Sequence, residues 1–259
     1  MSSALIGYSG FVGGSLDRQA HFDEKYNSKN ISEIKGKHFE LIACAGTPGV
    51  KWKANQNPDE DLQAIQSLRS HLETVSCDLF IFISTVDVYF PPVEVAEDSP
   101  VPAPGLPAYG LHRFQFEEFV RQRYNRSLTV RLPGLYGEGL KKNFIYDLLN
   151  ENALDWTDAR SYFQFYNLDR LWQDIQTLLP HEIPLVNFAT PPVNAQEVAE
   201  LCFGVPFENH TERGAVFYDM HTNYAALFGQ EGWYICTKKD ELDSISQFVK
   251  RERHKRKSV

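Results

Sequence analysis

Three groups of residues in this sequence have types and spacings suited to chemistry. The first is Gly7-x-x-Gly10-x-x-Gly13, directly behind the short apolar run Ala4-Leu5-Ile6. Glycines at that spacing let backbone approach a pyrophosphate, and the N–H groups and dipole of a helix start favour its negative charge. Gly7, Ser9, Gly10, Phe11, Val12 and Gly13 are therefore candidate cofactor contacts, although three glycines can mark any tight turn. The second group is Ser84-Thr85-Val86-Asp87-Val88-Tyr89, where hydroxyls emerge from the apolar run Leu79-Phe80-Ile81-Phe82-Ile83. The third is Tyr109-Gly110-Leu111-His112-Arg113. Tyr109 and Arg113 are four apart and share one helix face.

The elements that must position these residues alternate. Ser3 to Ile6 reads as a strand and Phe11 to Asp17 as a helix. His21 to Tyr26 reads as a second short strand, followed by the polar loop Asn27-Ser28-Lys29-Asn30. Phe39 to Gly46 is a better strand, ending in small residues that include Ala45. Asp59 to Val75 has helical spacing in Leu62, Ile65, Leu68, Leu72 and Val75. Leu79–Ile83 is continuous, as in a strand buried on both faces. After a proline-rich stretch, Ala108 to Tyr124 reads as a helix with Leu111, Phe114, Phe116 and Val120 inward. Leu128 to Leu132 is the next strand. This alternation predicts an α/β fold, a Rossmann-type doubly wound parallel sheet whose strand C-terminal ends share one ligand-binding edge. Beyond Gly134 the pattern loosens. Helices are expected around 143–150, 168–179 and 194–203, and short strands at 163–165, 185–188 and 216–218. These suggest a small C-terminal substrate lobe within a single 259-residue domain. Roughly residues 1–140 would form the dinucleotide-binding core, and roughly 141–259 would mix lobe elements with later core elements.

At these residues the chain resembles the extended short-chain dehydrogenases/reductases, the NAD(P)-dependent nucleotide-sugar epimerases, dehydratases and reductases. Gly7-x-x-Gly10-x-x-Gly13 matches the family's glycine turn. Ser84–Tyr89 looks like its hydroxyl-bearing strand end, with Thr85 at the catalytic position. Tyr109-x-x-x-Arg113 falls on its Tyr-x-x-x-Lys. Arg131-Leu132-Pro133-Gly134-Leu135-Tyr136-Gly137 looks like the segment that passes the nicotinamide, which makes Pro133 a cofactor contact. Lys142-Asn143-Phe144-Ile145 resembles the start of the substrate lobe and makes Asn143 a substrate contact. The likeness covers about residues 3–150 well and the rest loosely.

The resemblance implies that Tyr109 exchanges a proton with an alcohol or carbonyl while hydride moves to or from the nicotinamide. A free tyrosine titrates near pH ~10, so acting as a base near neutrality needs a shift of roughly three units, about 4 kcal/mol. A cation one helical turn away, with the oxidised nicotinamide, can supply it. Thr85 would donate to the same substrate oxygen. Arg113 departs from the family's lysine. Arginine can lower the phenol's pKa and bond a ribose, but it stays protonated and cannot relay a proton. His112 lies about 100° away around the helix and reads as a surface or hydrogen-bonded histidine.

A nicotinamide cofactor often finds an acid at the end of the second strand to hold its ribose. Asp23 and Glu24 lie too early, and Asn27, Ser28 and Lys29 are neutral to basic. This leans mildly toward NADP over NAD. Asp87 is a candidate for orienting Thr85 or the substrate, though strand-end turns use acids as often. Lys51-Trp52-Lys53 with Asn55 reads as a loop that either touches ligand or is solvated around one packed tryptophan. Phe163–Tyr166 and Trp172 read as lobe core, and Asp59-Glu60-Asp61 as acids complementing a helix dipole. No residue pattern supports a catalytic metal.

Composition fits a packed protein, at 42% hydrophobic and 23% charged residues. A net charge of −8 argues against a general nucleic-acid binder. The four cysteines form no CxxC pair and suggest reduced thiols in a cytoplasmic protein. No run is long enough to span a membrane, and the basic end Arg251–Lys257 reads as solvated. The expected partner is a small molecule, a nucleotide-sugar under the resemblance, which also implies pairing of two copies through the tyrosine's helix. Three functions stay open on these residues. One is an NAD(P)-dependent oxidoreductase or epimerase on a nucleotide-linked sugar or polyol. The second is a nucleotide-binding sensor or regulatory module without redox turnover, suggested by Arg113. The third is a Rossmann-like fold without a nucleotide.

Overall fold

The short strand Ser3–Ile6 (β1) buries Ala4, Leu5 and Ile6 and opens a parallel sheet. The computed structural model describes residues 2–257. The described chain forms two compact units, the first comprising Met1–Phe90, Asp98–Leu132 and Leu171–Asn187 and the second comprising Pro91–Glu97, Pro133–Arg170 and Phe188–Val259.

The first unit carries six strands: β1, Glu24–Tyr26 (β2), His38–Cys44 (β3), Ser76–Thr85 (β4), Ser127–Leu132 (β5) and Leu185–Asn187 (β6). Their order is β6-β5-β4-β3-β1-β2, and every neighbouring pair is parallel. The chain therefore steps from β1 to one side, then crosses to the other side at β3. That reversal is the switch point where ligands bind in open α/β sheets. The sheet has no strand outside β2, so the segment between β2 and β3 is short, and a 3₁₀ turn over Ile31–Ile34 fills it.

Five helices flank this sheet: Phe11–Gln19 (α1), Lys51–Gln56 (α2), Pro58–Leu72 (α3), Ala108–Arg123 (α4) and Leu171–Leu178 (α5). Right-handed crossovers in opposite directions place α1 and α3 on opposite faces. On the α3–α4 face, Ile6, Ile42, Phe80 and Phe82 pack with Ile65, Leu68, Leu72, Phe116 and Val120. Phe80 stacks on Tyr124 with centroids 4.3 Å apart. Alternation sends Leu5, Ala43, Ile81 and Val130 to the other face, where α1 and α5 pack together.

The second unit holds short pieces of structure. Gly134–Tyr136 pairs in parallel with Phe165–Asn167, and Val193–Asn194 pairs antiparallel with Tyr162–Phe163. Its core gathers Tyr136, Phe144, Ile145, Phe165, Val198 and Phe203 against Ile245, Phe248 and Val249 of a twenty-residue helix, Lys238–Lys257.

Several sequence expectations need correction. The second strand is only Glu24–Tyr26, and 216–218 contributes an isolated bridge between Tyr162 and Phe217, the nearby strand being Asp219–Met220. Lys51–Gln56 is a helix rather than a loop, and Trp52 is 63% exposed rather than packed. Trp172 belongs to the first unit, edge-on to Phe22 at 5.5 Å. On α4, Leu111 and Phe114 are half-buried, while His112, Arg113 and Glu117 join Phe116, Phe119 and Val120 in the interior. Polar partners on neighbouring elements draw these charged residues inward. The basic C-terminal stretch ends the long helix, where Arg251 bonds Asp169 at 2.8 Å and Arg256 bonds the Leu149 carbonyl at 2.5 Å.

Candidate active site

The glycine turn sits at the C-terminal end of β1, where the strand order reverses. Gly7 has φ +88°, and a Cβ there would stand 2.4 Å from the Ala45 carbonyl oxygen. A Cβ on Gly13 would stand 2.0 Å from the Gly7 carbonyl oxygen. Both positions thus need glycine, the first for conformation and approach to the end of β3, the second for seating α1 on β1. Gly10 caps α1 with no side-chain bond of its own, and its N–H donates to Gly7 O at 2.9 Å. Ser9 and Gly10 are exposed, and Phe11 and Val12 half-buried. The helix supplies no acceptor for its first N–H groups, and no acid stands in its first turn. A pyrophosphate fits this end of the site.

Past β2, the side chain of Asn27 accepts the Lys29 N–H at 2.9 Å, and Asn30 accepts the Asn27 N–H at 2.8 Å. This closed polar turn leaves Ser28 and Lys29 exposed. The nearby acids are engaged elsewhere: Asp23 accepts two bonds from Ser3, and Glu24 accepts from Tyr26 and Lys37.

Thr85 ends β4, and its hydroxyl accepts the Asp87 N–H at 3.2 Å and lies 3.3 Å from the Asp87 carboxylate. Asp87 pairs with Lys51 of α2 at 2.6 Å. The helix bearing Tyr109 is pressed onto this strand end, since a Cβ on Gly110 would stand 2.0 Å from the Asp87 carbonyl oxygen. Asn55 of α2 accepts the Tyr109 N–H at 2.9 Å and caps α4. The structure thus brings together Thr85, Asp87 and Tyr109 of the predicted residues with Lys51 and Asn55 of the segment read as touching ligand or solvated, and adds Gly110.

Arg113 is 1% exposed and makes no approach to solvent. Its two terminal nitrogens hold both Asp61 oxygens, at 2.5 and 2.8 Å, together with the carbonyls of Tyr109 and Pro48. Its guanidinium lies over the Tyr109 ring at 3.9 Å. His112 is also buried and bonds Asp61 through Nδ1 at 2.8 Å. Burial works against the Asp61 charge, but Arg113 and His112 hold its carboxyl below the usual carboxylate range. Asp61 is therefore an ion-pair partner as well as a helix-start acid.

This pairing changes the electrostatics expected at Tyr109. Burial pushes the phenol above its ordinary value. Arg113 and Lys51 pull it down, Asp87 and Asp61 push it up, and the net direction is upward. Arg113 is the largest of the influences that lower the phenol, although Asp61 answers part of its charge. Its two terminal nitrogens are taken up by Asp61 and two carbonyls, which leaves neither for a ribose.

A second buried network underlies the strand ends. Glu117 of α4 accepts from Arg131 at 2.5–3.2 Å and from Ser84. Arg131 also donates to Tyr89 at 2.6 Å, and Tyr89 meets Asn187. The network ties α4 to β4, β5 and β6 beneath Thr85.

In the second unit, Pro133 is buried directly after β5. Asn143, at φ +102°, caps the helix Phe144–Asn150, accepting the Tyr146 N–H at 3.1 Å and donating to the Leu135 carbonyl at 2.7 Å. Its side chain already has a structural task.

No protein-family model matches the sequence, and no curated protein matches it. Solved structures do. A dTDP-4-dehydrorhamnose reductase from Bacillus anthracis in complex with NADP has a TM-score of 0.73 at 16% identity, covering 97% of this chain and 99% of that one. MoeE5 in complex with UDP-glucose and NAD scores 0.71 at 15% identity, with 97% and 99% covered. A UDP-glucose 4-epimerase from Thermotoga maritima with UDP-glucose scores 0.71 at 12% identity, with 98% and 99% covered. The fold is that of the Rossmann-type nucleotide-sugar epimerases and reductases.

Proposed function

We propose that this chain is an NAD(P)-dependent oxidoreductase or epimerase acting on a nucleotide-linked sugar or related polyol. The observation that carries this reading is the glycine turn, Thr85 and Tyr109 on the C-terminal edge of one parallel sheet. The ligands named for the similar structures, UDP-glucose with NAD and a reductase with NADP, support the substrate and cofactor class. Exposed Lys29, with Asp23 and Glu24 engaged elsewhere, favours a 2′-phosphate and hence NADP.

The bound nicotinamide would supply or accept the hydride at a substrate carbon. The protein's own groups manage the oxygen on that carbon. Tyr109, held protonated by its buried setting, donates its phenolic proton to the oxygen as negative charge develops. Thr85 donates a second hydrogen bond to the same oxygen. Asp87 orients Thr85 through the two contacts already described. Arg113 stacks on the Tyr109 ring and fixes its position, and its charge lowers the phenol against the effect of burial.

The enclosure of Arg113 favours a second reading, a dinucleotide-binding module without redox turnover. One experiment separates the two. NADPH and NADH are titrated by calorimetry, and turnover is followed at 340 nm with UDP-glucose, UDP-glucuronic acid and dTDP-sugars in wild type and Tyr109→Phe. The enzyme reading expects saturable binding in both proteins and turnover only in wild type. Equal turnover in both proteins removes the tyrosine role. Binding without turnover leaves the second reading, and no binding removes both.

A further inference from the structure

The helix Lys238–Lys257 turns basic over its last eight residues, which hold six of the chain's 26 Lys and Arg and one of its 34 Asp and Glu. Ile245, Phe248 and Val249 bury one stripe of this helix in the second unit. The one acid, Glu252, falls on that same stripe, is half-buried and pairs with Lys255. Lys250, Arg253 and His254 share the opposite face and are exposed. After Asp243, none of the described residues on that face is an acid. Two arginines fasten this part of the helix through neutral groups, which leaves their charge uncancelled there. Arg256 donates to the Leu149 carbonyl at 2.5 Å and to Asn150 Oδ1 at 2.9 Å. Arg253 donates to the Phe203 carbonyl at 3.2 Å and lies over the Phe203 ring. The two segments held in this way carry exposed apolar side chains. Shortly after Asn150 comes Trp156, 76% exposed, on a turn whose Leu154, Asp155 and Thr157 carbonyls all accept from Asn209. On either side of Phe203 stand Leu201, 64% exposed, and exposed Val205.

We propose that the basic end of this helix, with Trp156, Leu201 and Val205, docks reversibly on an anionic lipid bilayer. The proposal does not rest on the oxidoreductase reading. The cations of the helix face complement the negative surface of a bilayer that carries acidic lipids. Trp156 suits the headgroup boundary, where an apolar ring with one polar N–H is half wet. Leu201 and Val205 favour lipid over other polyanions. Aliphatic side chains offer a nucleic acid nothing to stack on or bond, whereas the acyl boundary takes them up. A weak apolar anchor or a basic patch alone holds a protein poorly, and the two together hold it reversibly. Glu151, Asp155 and Glu200 lie on the flanking segments and limit the attraction to the helix face. The contact is peripheral, since no helix of the described residues is long and apolar enough to cross a membrane.

Lys250 and Trp156 are exposed, so Lys250→Glu and Trp156→Ser should leave the melting curve unchanged. The full chain is sedimented with vesicles of phosphatidylcholine alone and of phosphatidylcholine with about one-third phosphatidylserine. Binding is expected to the anionic vesicles only, and is lost by roughly 0.5 M salt. Each unit charge at such a surface changes the partition about fivefold, so Lys250→Glu should weaken binding by about twentyfold. Trp156→Ser should weaken it severalfold and abolish the blue shift of tryptophan emission that accompanies binding. Lys239→Gln, on the first turn of the same helix, should bind as wild type. No binding to anionic vesicles overturns the proposal. So does binding that Lys250→Glu leaves unchanged, or an equal loss in Lys239→Gln. Retention on heparin without vesicle binding also overturns it and assigns the face to a soluble polyanion.

Discussion

Asp61→Asn should destabilise the first unit strongly, because it removes the carboxylate bonded to the Arg113 guanidinium, which is sealed from water. Arg113 and Asp61 have side chains only 1% and 3% exposed, and the pair is joined through both terminal guanidinium nitrogens. Removing one member of a buried ion pair leaves the other charge without compensation, at a cost of about 3–5 kcal/mol. His112 loses its partner in the same step. For a chain of this size, that corresponds to a fall in Tm on the order of 10 °C. Removing both charges with Asp61→Leu/Arg113→Met leaves no stranded ion, so the double variant should be well short of the sum of the two single losses. A small residual cost remains from the unpaired His112 Nδ1. Calorimetric or fluorescence melts of wild type, Asp61→Leu, Arg113→Met and the double variant provide the cycle, with Asp61→Asn melted alongside. A loss below about 1 kcal/mol in Asp61→Asn, or simple additivity, would show that the pair is not the sealed unit described here.

Two further outcomes follow from other parts of the molecule. Gly13→Ala puts a methyl 2.0 Å from the Gly7 carbonyl oxygen, whereas the same change at Gly49 meets nothing within 4 Å. Gly13→Ala should lower Tm and weaken dinucleotide binding at least tenfold, while Gly49→Ala stays near wild type. Burial pushes the Glu241 carboxyl up to about 8, against partial relief from Tyr136, Arg170 and Cys236. Between roughly pH 4.5 and this value the folded chain keeps a proton that the unfolded chain releases. Stability should therefore fall as pH rises through that window, by up to ~1.4 kcal/mol per unit, and level off above it. Melts of wild type and Glu241→Gln from pH 5 to 8.5 test this, with parallel pH profiles refuting it.

The parts of the fold legible in sequence are those with local signals. The apolar runs of β1, β4 and β5 and the glycine turn lie where the residue pattern puts them. Helix α2 escaped because Lys51-Trp52-Lys53-Ala54-Asn55-Gln56 is too short to show a periodicity. The long C-terminal helix escaped because its interior contacts, Ile245, Phe248 and Val249, are sparse among charges. Of the site, Thr85 and Tyr109 were legible by type and order. The pairing of Arg113 with Asp61 was not, because the partners come from separate helices and meet only on folding. A trace existed: Asp61 lies four before Ile65 and so occupies the inward stripe with Leu68 and Leu72. A carboxylate on an apolar stripe requires a buried cation opposite it, and Arg113 was available.

The central claim is that the glycine turn holds a nicotinamide dinucleotide reaching toward Thr85 and Tyr109. Calorimetric titration of NADPH into wild type and Gly13→Ala tests it most directly. Saturable one-to-one binding in wild type that weakens at least tenfold in Gly13→Ala is the result predicted. No saturable binding in wild type, or equal affinity in both proteins, would contradict it.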